Sequence, residues 1–256
     1  MFLLKRLLPS KTKELVWKFA SDQLHLKFTL SSGIPIKVAS FSDWCIYNEI
    51  FADGEYDEGI LVALAEASDA DFTVLDLGAN VGFFTMRVLH LMSKMKIRPR
   101  KTSFVLVEAS PSLVSELNDR CSTLSSPEVE IRVIAGLVGQ RTGSAPFEFH
   151  KSQCRNSVGS VTSNALPVEY VDLLPVTSEF AKVNLLKCDI EGSEKEFLNN
   201  YGELLQRTDV AMFEFHSEGC KPAEGISLLS ACGLQSKKEL RGGEPSVWLF
   251  WREVSL

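Results

Sequence analysis

From residue 24 the chain alternates apolar and polar side chains twice, over Leu24–Leu30 and Ile34–Ser40, across the turn Ser31-Ser32-Gly33. Period-two alternation on both sides of a glycine turn predicts a β-hairpin. A polar and aromatic stretch, Trp44–Asp57, follows and gives way to helical spacing over Glu58–Ala67. Beyond it the grammar becomes strand and helix in turn. Continuous apolar runs predict strands at Thr73–Leu77, Ser103–Val107, Val129–Ile134, Asn184–Cys188 and Asp209–Phe215. Helices are predicted at Phe83–Met92, Ser112–Cys121, Glu194–Gln206 and Ala223–Ala231. Strands alternating with helices imply a parallel sheet covered on both faces. Two closing runs, Leu234–Leu240 and Val247–Arg252, read as an antiparallel pair and make the sheet mixed. One section breaks the rhythm: Phe147–His150 and Pro167–Val171 read as short strands around a Ser/Asn/Gly-rich loop, Lys151–Asn164. The expected architecture is an α/β, Rossmann-like domain over 58–256 with a seven-stranded mixed sheet, preceded by an extension over 1–57 that carries the hairpin.

Composition narrows the class. The 256 residues are 45% hydrophobic and 23% charged, enough to bury a core and unlike a disordered chain. A formal charge of −6 argues against nucleic acid as a partner, because such binders concentrate Lys and Arg on one face. The basic run Lys94–Lys101 falls between a helix and a strand and reads as a solvated loop. Six cysteines form no C-x-x-C pair and no zinc spacing, which points to a reducing cytoplasm rather than a disulfide scaffold. At the N-terminus, Lys5 and Arg6 interrupt the apolar run, so it is too short for a signal sequence and reads as an amphipathic helix packed on the domain. No run approaches the roughly 18–20 apolar residues of a transmembrane segment.

Three segments carry candidate chemistry. In Val74-Leu75-Asp76-Leu77-Gly78-Ala79-Asn80-Val81-Gly82 an apolar strand enters a glycine turn that opens a helix. Glycines let backbone approach a ligand and free helix N-terminal N–H groups to contact it. The spacing is Gly-x-x-x-Gly rather than G-x-G-x-x-G, and Asp76 at the strand end would repel a pyrophosphate. An acid there suits a ligand with a cationic centre, such as the amino group of methionine. In Val105-Leu106-Val107-Glu108-Ala109-Ser110-Pro111, Glu108 ends the next strand, where an acid can accept both ribose hydroxyls. In Lys187-Cys188-Asp189-Ile190-Glu191-Gly192-Ser193-Glu194, Asp189 and Glu191 end a central strand and could address one pocket. Glu194 reads as a helix N-terminal charge that complements the dipole.

These segments resemble the hallmarks of the FkbM family of methyltransferases, in Asp76–Gly82, Val107–Pro111 and Leu186–Gly192. The likeness runs from Phe51-Ala-Asp-Gly-Glu-Tyr-Asp57 to Met212-Phe-Glu-Phe-His216, about two-thirds of the chain. It departs from the family at Cys188, where an aliphatic residue is frequent, and at Glu108-Ala-Ser, in place of Glu-Pro-x. The resemblance implies a class I methyltransferase fold and O-methylation, with S-adenosylmethionine, of a hydroxyl on a sugar, glycolipid or polyketide-like acceptor. It implies cofactor binding by Asp76, Gly78, Asn80, Gly82 and Glu108, with Glu55 and Tyr56 closing over the site. The strand ends offer Asp189, Glu191, Glu214 and His216 as bases, with Asp189, Glu191 and His216 the catalytic candidates; His216 is neutral at pH 7 in its reference state and can accept a proton. No dedicated metal-ligand spacing is visible, although the oxygen-rich strand ends would permit Mg2+. Two other readings stand beside this one: an NAD-dependent oxidoreductase, which lacks the second glycine of its motif and a Tyr-x-x-x-Lys pair, and a non-catalytic Rossmann-like binding subunit.

Overall fold

A computed structural model describes residues 25–65, 67, 70–148, 157–158 and 165–253. The N-terminal amphipathic segment, His150 and most of the Lys151–Asn164 loop lie outside the described residues. The predicted hairpin is present as β1 (Leu26–Thr29) and β2 (Pro35–Val38), paired antiparallel as a separate two-stranded sheet.

The central sheet has seven strands: β3 (Phe72–Leu77), β4 (Thr102–Glu108), β5 (Val129–Ala135), β9 (Val183–Cys188), β10 (Thr208–Phe215), β11 (Ser236–Arg241) and β12 (Ser246–Trp251). Their order is β11-β12-β10-β9-β3-β4-β5, and β12 alone runs antiparallel to its neighbours. The intervening strands β6 (Ser144–Glu148), β7 (Ser157–Val158) and β8 (Ala165–Glu169) form a small sheet ordered β7-β6-β8.

Alternate strand positions divide the core in two. Val74, Phe104, Leu106, Leu185 and Met212 face one cluster, with the hairpin and the helices α2 (Asp57–Ala65), α3 (Phe83–Met95) and α4 (Pro111–Ser122). Leu75, Val107, Leu186, Phe213 and Phe215 face the other, with α6 (Glu194–Asn200), α7 (Gly202–Gln206) and α8 (Pro222–Ala231). The short α5 (Leu173–Val176) supplies Leu173 to that second cluster. Every residue of β3, β4 and β9 is buried, as two-sided coverage of parallel strands requires.

Two elements differ from the sequence pattern. The polar, aromatic stretch after the hairpin is helical, as α1 (Phe41–Tyr47) continuing into a π-helical turn over Asn48–Ala52. Its composition of Trp, Cys, Ile and Tyr is poor in strong helix formers, and capping compensates. The Ser40 hydroxyl accepts from the Asp43 N–H at 3.0 Å, and Asp43 pairs with Arg120 of α4 at 2.9 Å with both side chains at most 7% exposed. The predicted helix Glu194–Gln206 breaks at Tyr201, whose hydroxyl donates to the Val171 carbonyl at 3.0 Å while its ring stacks on Phe197. Burying that ring outweighs helix continuity.

Candidate active site

Strands β3, β4, β9 and β10 end on one edge of the sheet, and two cavities open there side by side. The first encloses about 540 Å3, mouth included, and is lined by Gly78, Asn80, Glu108, Leu113, Val138 and Phe147, among others. Gly78 has φ of 76°, and a Cβ placed on it would lie 1.8 Å from the Asp189 carbonyl oxygen, so the ends of β3 and β9 touch where only glycine fits. Glu108 ties the glycine loop to β4. Its carboxylate accepts from the Asn80 N–H at 2.9 Å and from the Ser110 N–H at 2.8 Å. Burial raises its pKa, and those two donors oppose the rise. Gly82 caps α3 and lines neither cavity; a Cβ there would lie 2.7 Å from the Leu117 side chain, so it is a packing glycine.

The second cavity encloses about 1040 Å3. One wall is apolar, with Ile46, Ile50, Tyr56, Phe83 and Phe84; the other carries Lys187, Asp189, Glu191, Glu214, His216 and Arg241. Gly78, Asn80, Asp189 and Glu191 line both cavities and mark their junction. Glu191 takes φ of 53°, an unusual conformation for a residue with a side chain, of the kind that concentrates at functional sites.

The charged wall is a paired network. Lys187 and Asp76 are register partners on adjacent strands, so their side chains share a face; the ammonium lies 3.5 Å from Asp76 and from Asp189 and donates to the Gly78 carbonyl at 3.0 Å. Arg241 bridges Glu55 at 2.9 Å and Glu214 at 3.1 Å, and the Tyr56 hydroxyl donates to Glu214 at 3.3 Å. His216 meets Glu194 through Nδ1 at 3.0 Å and faces Glu191 through Nε2 at 3.4 Å. Burial, and then the Asp189 charge, push Glu191 and Glu214 each up to about 8. Burial opposes the charged form of His216, but the Glu194 hydrogen bond and charge prevail and take it up to about 9.

A methyltransferase FkbM domain model matches residues 76–235. The chain belongs to the FkbM methyltransferase family. It is a methyltransferase that depends on S-adenosylmethionine, and the oxidoreductase reading is set aside. The chain is 24% identical over 186 residues to the hexuronic acid methyltransferase AglP of Haloferax volcanii, covering 72% of this chain and 71% of that one. It is also similar to the crystal structure of an FkbM methyltransferase from Methylobacillus flagellatus KT, with a TM-score of 0.50 and 15% identity. That likeness covers 72% of this chain but 44% of the other, and it shows the fold: a class I methyltransferase sheet.

In this FkbM protein, the first cavity carries groups that could hold a cofactor. Its apolar shelf of Val107, Leu113, Val138 and Phe147 matches a flat base, and Glu108 offers its carboxylate beside it. The Asn80 side-chain oxygen is buried with no hydrogen-bond partner among the described residues, an acceptor left over for a ligand's donor. The other residues expected to bind cofactor fall elsewhere. Asp76 is 0% exposed and lines neither cavity, because Lys187 covers it. Tyr56 lines the second cavity, and Glu55 reaches it only through Arg241.

Asp189, Glu214 and His216 bring donor atoms within 4.8 Å of one another, close enough to share an ion. The set does not fit Mg2+, which favours oxygen ligands and water in octahedral array. One donor is an imidazole, and the two carboxylates already pair with Lys187 and Arg241. Sequence reasoning missed Glu194, Lys187 and Arg241 as members of the site. A lysine inside the apolar run Leu185-Leu186-Lys187-Cys188 was the available signal, since a buried ammonium needs a buried partner.

Proposed function

We propose that this FkbM methyltransferase methylates a hydroxyl of a sugar, or of a glycolipid or polyketide-like molecule, held in the second cavity. The observation that carries the proposal is the junction at Gly78, Asn80, Asp189 and Glu191, where the cleft beside Glu108 meets a larger cavity with one apolar and one charged wall. A sugar ring has both characters, apolar C–H faces and a rim of hydroxyls. The similarity to a hexuronic acid methyltransferase supports a glycan acceptor.

In this reading Glu108 accepts the ribose hydroxyls, and Gly78 and Asn80 frame the methionine end, with Gly82 fixing the loop from behind. Asp76 acts through Lys187, holding the ends of β3 and β9 in place. Glu55 and Tyr56 close the acceptor side by way of Arg241 and Glu214. S-adenosylmethionine, when bound, supplies an electrophilic methyl group. The chain aligns the acceptor oxygen with that methyl and removes its proton. Asp189 stands at the junction and takes the acceptor hydroxyl's proton; Glu191 beside it completes the polar contact with the acceptor. The free thiols of Cys45, Cys121, Cys188, Cys220 and Cys232 support a reducing, cytoplasmic setting. No helix among the described residues is long and apolar enough to cross a membrane.

The test is incubation with methyl-labelled cofactor and a panel of neutral, acidic and amino sugars, lipid-linked sugars and polyketides. Label appearing in an acid-stable methyl ether is the expected result. Label found only in protein, nucleic acid or amines would overturn the hydroxyl reading.

A further inference from the structure

We infer that Glu194 is a positioning residue that holds His216 as a charged hydrogen-bond donor toward the acceptor cavity, so that His216 orients the acceptor and Asp189, not His216, takes the proton. The inference rests on the reading of the second cavity as the acceptor site.

Glu194 is the first residue of α6 and its side chain is 0% exposed. One oxygen accepts from the Gly192 N–H at 3.0 Å and meets His216 Nδ1 at 3.0 Å; the other has no partner among the described residues. A helix-dipole role does not account for this placement. That interaction stabilises by about 0.3–1 kcal/mol at a surface, whereas an ionised carboxylate taken out of water costs several kcal/mol unless a cation answers it. Lys187 is committed to Asp76 and Asp189, and Arg241 to Glu55 and Glu214. The cation that answers Glu194 is therefore the imidazolium of His216.

The opposite ring edge faces acids as well. Nε2 faces a Glu191 oxygen at 3.4 Å and a Glu214 oxygen at 3.9 Å. Asp189 and Glu244 add negative charge near the ring, from the β9 end and the β11–β12 turn. A neutral imidazole has one N–H, whereas an imidazolium donates at both nitrogens and so answers Glu194 through Nδ1 while presenting Nε2–H to the cavity. His216 lines the cavity and stands within reach of groups an acceptor would displace. Its Nε2–H can pass from Glu191 to an acceptor hydroxyl, which sets the hydroxyl's angle to Asp189. The ring starts charged, so it has no free nitrogen with which to take the proton.

Nitrogen-15 NMR of the histidine rings in the full chain, without acceptor, reads the ring state directly, with His216→Gln assigning the signal. Both His216 nitrogens should carry protons at pH 7, and in Glu194→Gln the titration midpoint should fall by about one to three units, the usual effect of a close opposite charge. Kinetically, Glu194→Gln should lower kcat about tenfold and raise KM for acceptor. Its alkaline limb should move to lower pH and cofactor affinity should hold, while Glu194→Asp recovers part of the loss. A neutral His216 at pH 7 in the wild-type chain would overturn the inference, and so would a folded Glu194→Gln variant with wild-type ring titration and kcat profile. The ring measurement needs no acceptor, so its failure is separate from failure of the hydroxyl-acceptor reading.

Discussion

The two cavities that meet at Asp189 are built from different materials. The first, proposed for the cofactor, is made of backbone and apolar side chains: a glycine loop, two N–H donors on Glu108 and an apolar shelf. The second, proposed for the acceptor, sets an apolar wall against charged side chains at the ends of β9 and β10 and on β11, which pair with one another and with Glu55 and Glu194 behind them. Backbone is positioned by local conformation, so the cleft tolerates little change in its loop and much elsewhere. A charge network spreads each group's worth over several partners, so single changes there should alter chemistry before they alter binding.

The largest effect expected is at Gly78. Its Cβ would strike the Asp189 carbonyl oxygen rather than a ligand, so Gly78→Ala should lose at least about 100-fold in cofactor affinity and lower the melting temperature as well. A folded variant with wild-type affinity by calorimetry would break the view that backbone contact shapes the cleft. Next, Asp189→Asn should cut turnover by about 100-fold or more, the usual worth of a general base, while cofactor affinity changes little. Parallel losses in both would erase the distinction between the cavities. Glu108→Gln should weaken cofactor binding by about 1–3 kcal/mol and leave kcat at saturation nearly intact. Turnover loss at saturating cofactor would assign Glu108 to the wrong side.

The smallest effect is on stability. Glu214 holds its proton up to about 8 in the folded chain against an ordinary value of 4.5. Its contribution is therefore present below about pH 4.5 and is lost as pH rises through about 8. Relative to wild type, Glu214→Gln should be unchanged at pH 4 and melt at least about 2–4 °C higher at pH 9, the shift that each 1 kcal/mol makes in a domain of this size. An equal offset at both pH values would mean that the carboxylate is not strained by its neighbours.

The same contrast explains what could be read from the sequence. Strand ends at Leu77, Glu108 and Cys188 are local events, marked by apolar runs that stop at a glycine or an acid, and the observed elements follow them closely. The neighbours of Asp76 are not local. Its partner Lys187 lies three strands of the central sheet later in the chain, and only the order β9-β3-β4 brings them into register. A strand-end acid was therefore expected to face ligand when it faces lysine. Glu194 misled for the same reason, because a helix N-terminal glutamate has a sufficient local explanation until His216 arrives from β10. The helix α1 and its π turn were hidden by composition, since their stability comes from the Asp43–Arg120 pair and not from propensity.

The antiparallel strand β12 carries a consequence for how the protein is made. Every residue lining the first cavity has been synthesised by Glu191, but the second waits for Arg241 and Pro245. Until β12 slots between β10 and β11, the edge of β10 is bare, a strand edge open to pairing with other chains. Late arrival of β12 thus leaves the nascent chain with an open edge on the strand that carries Glu214.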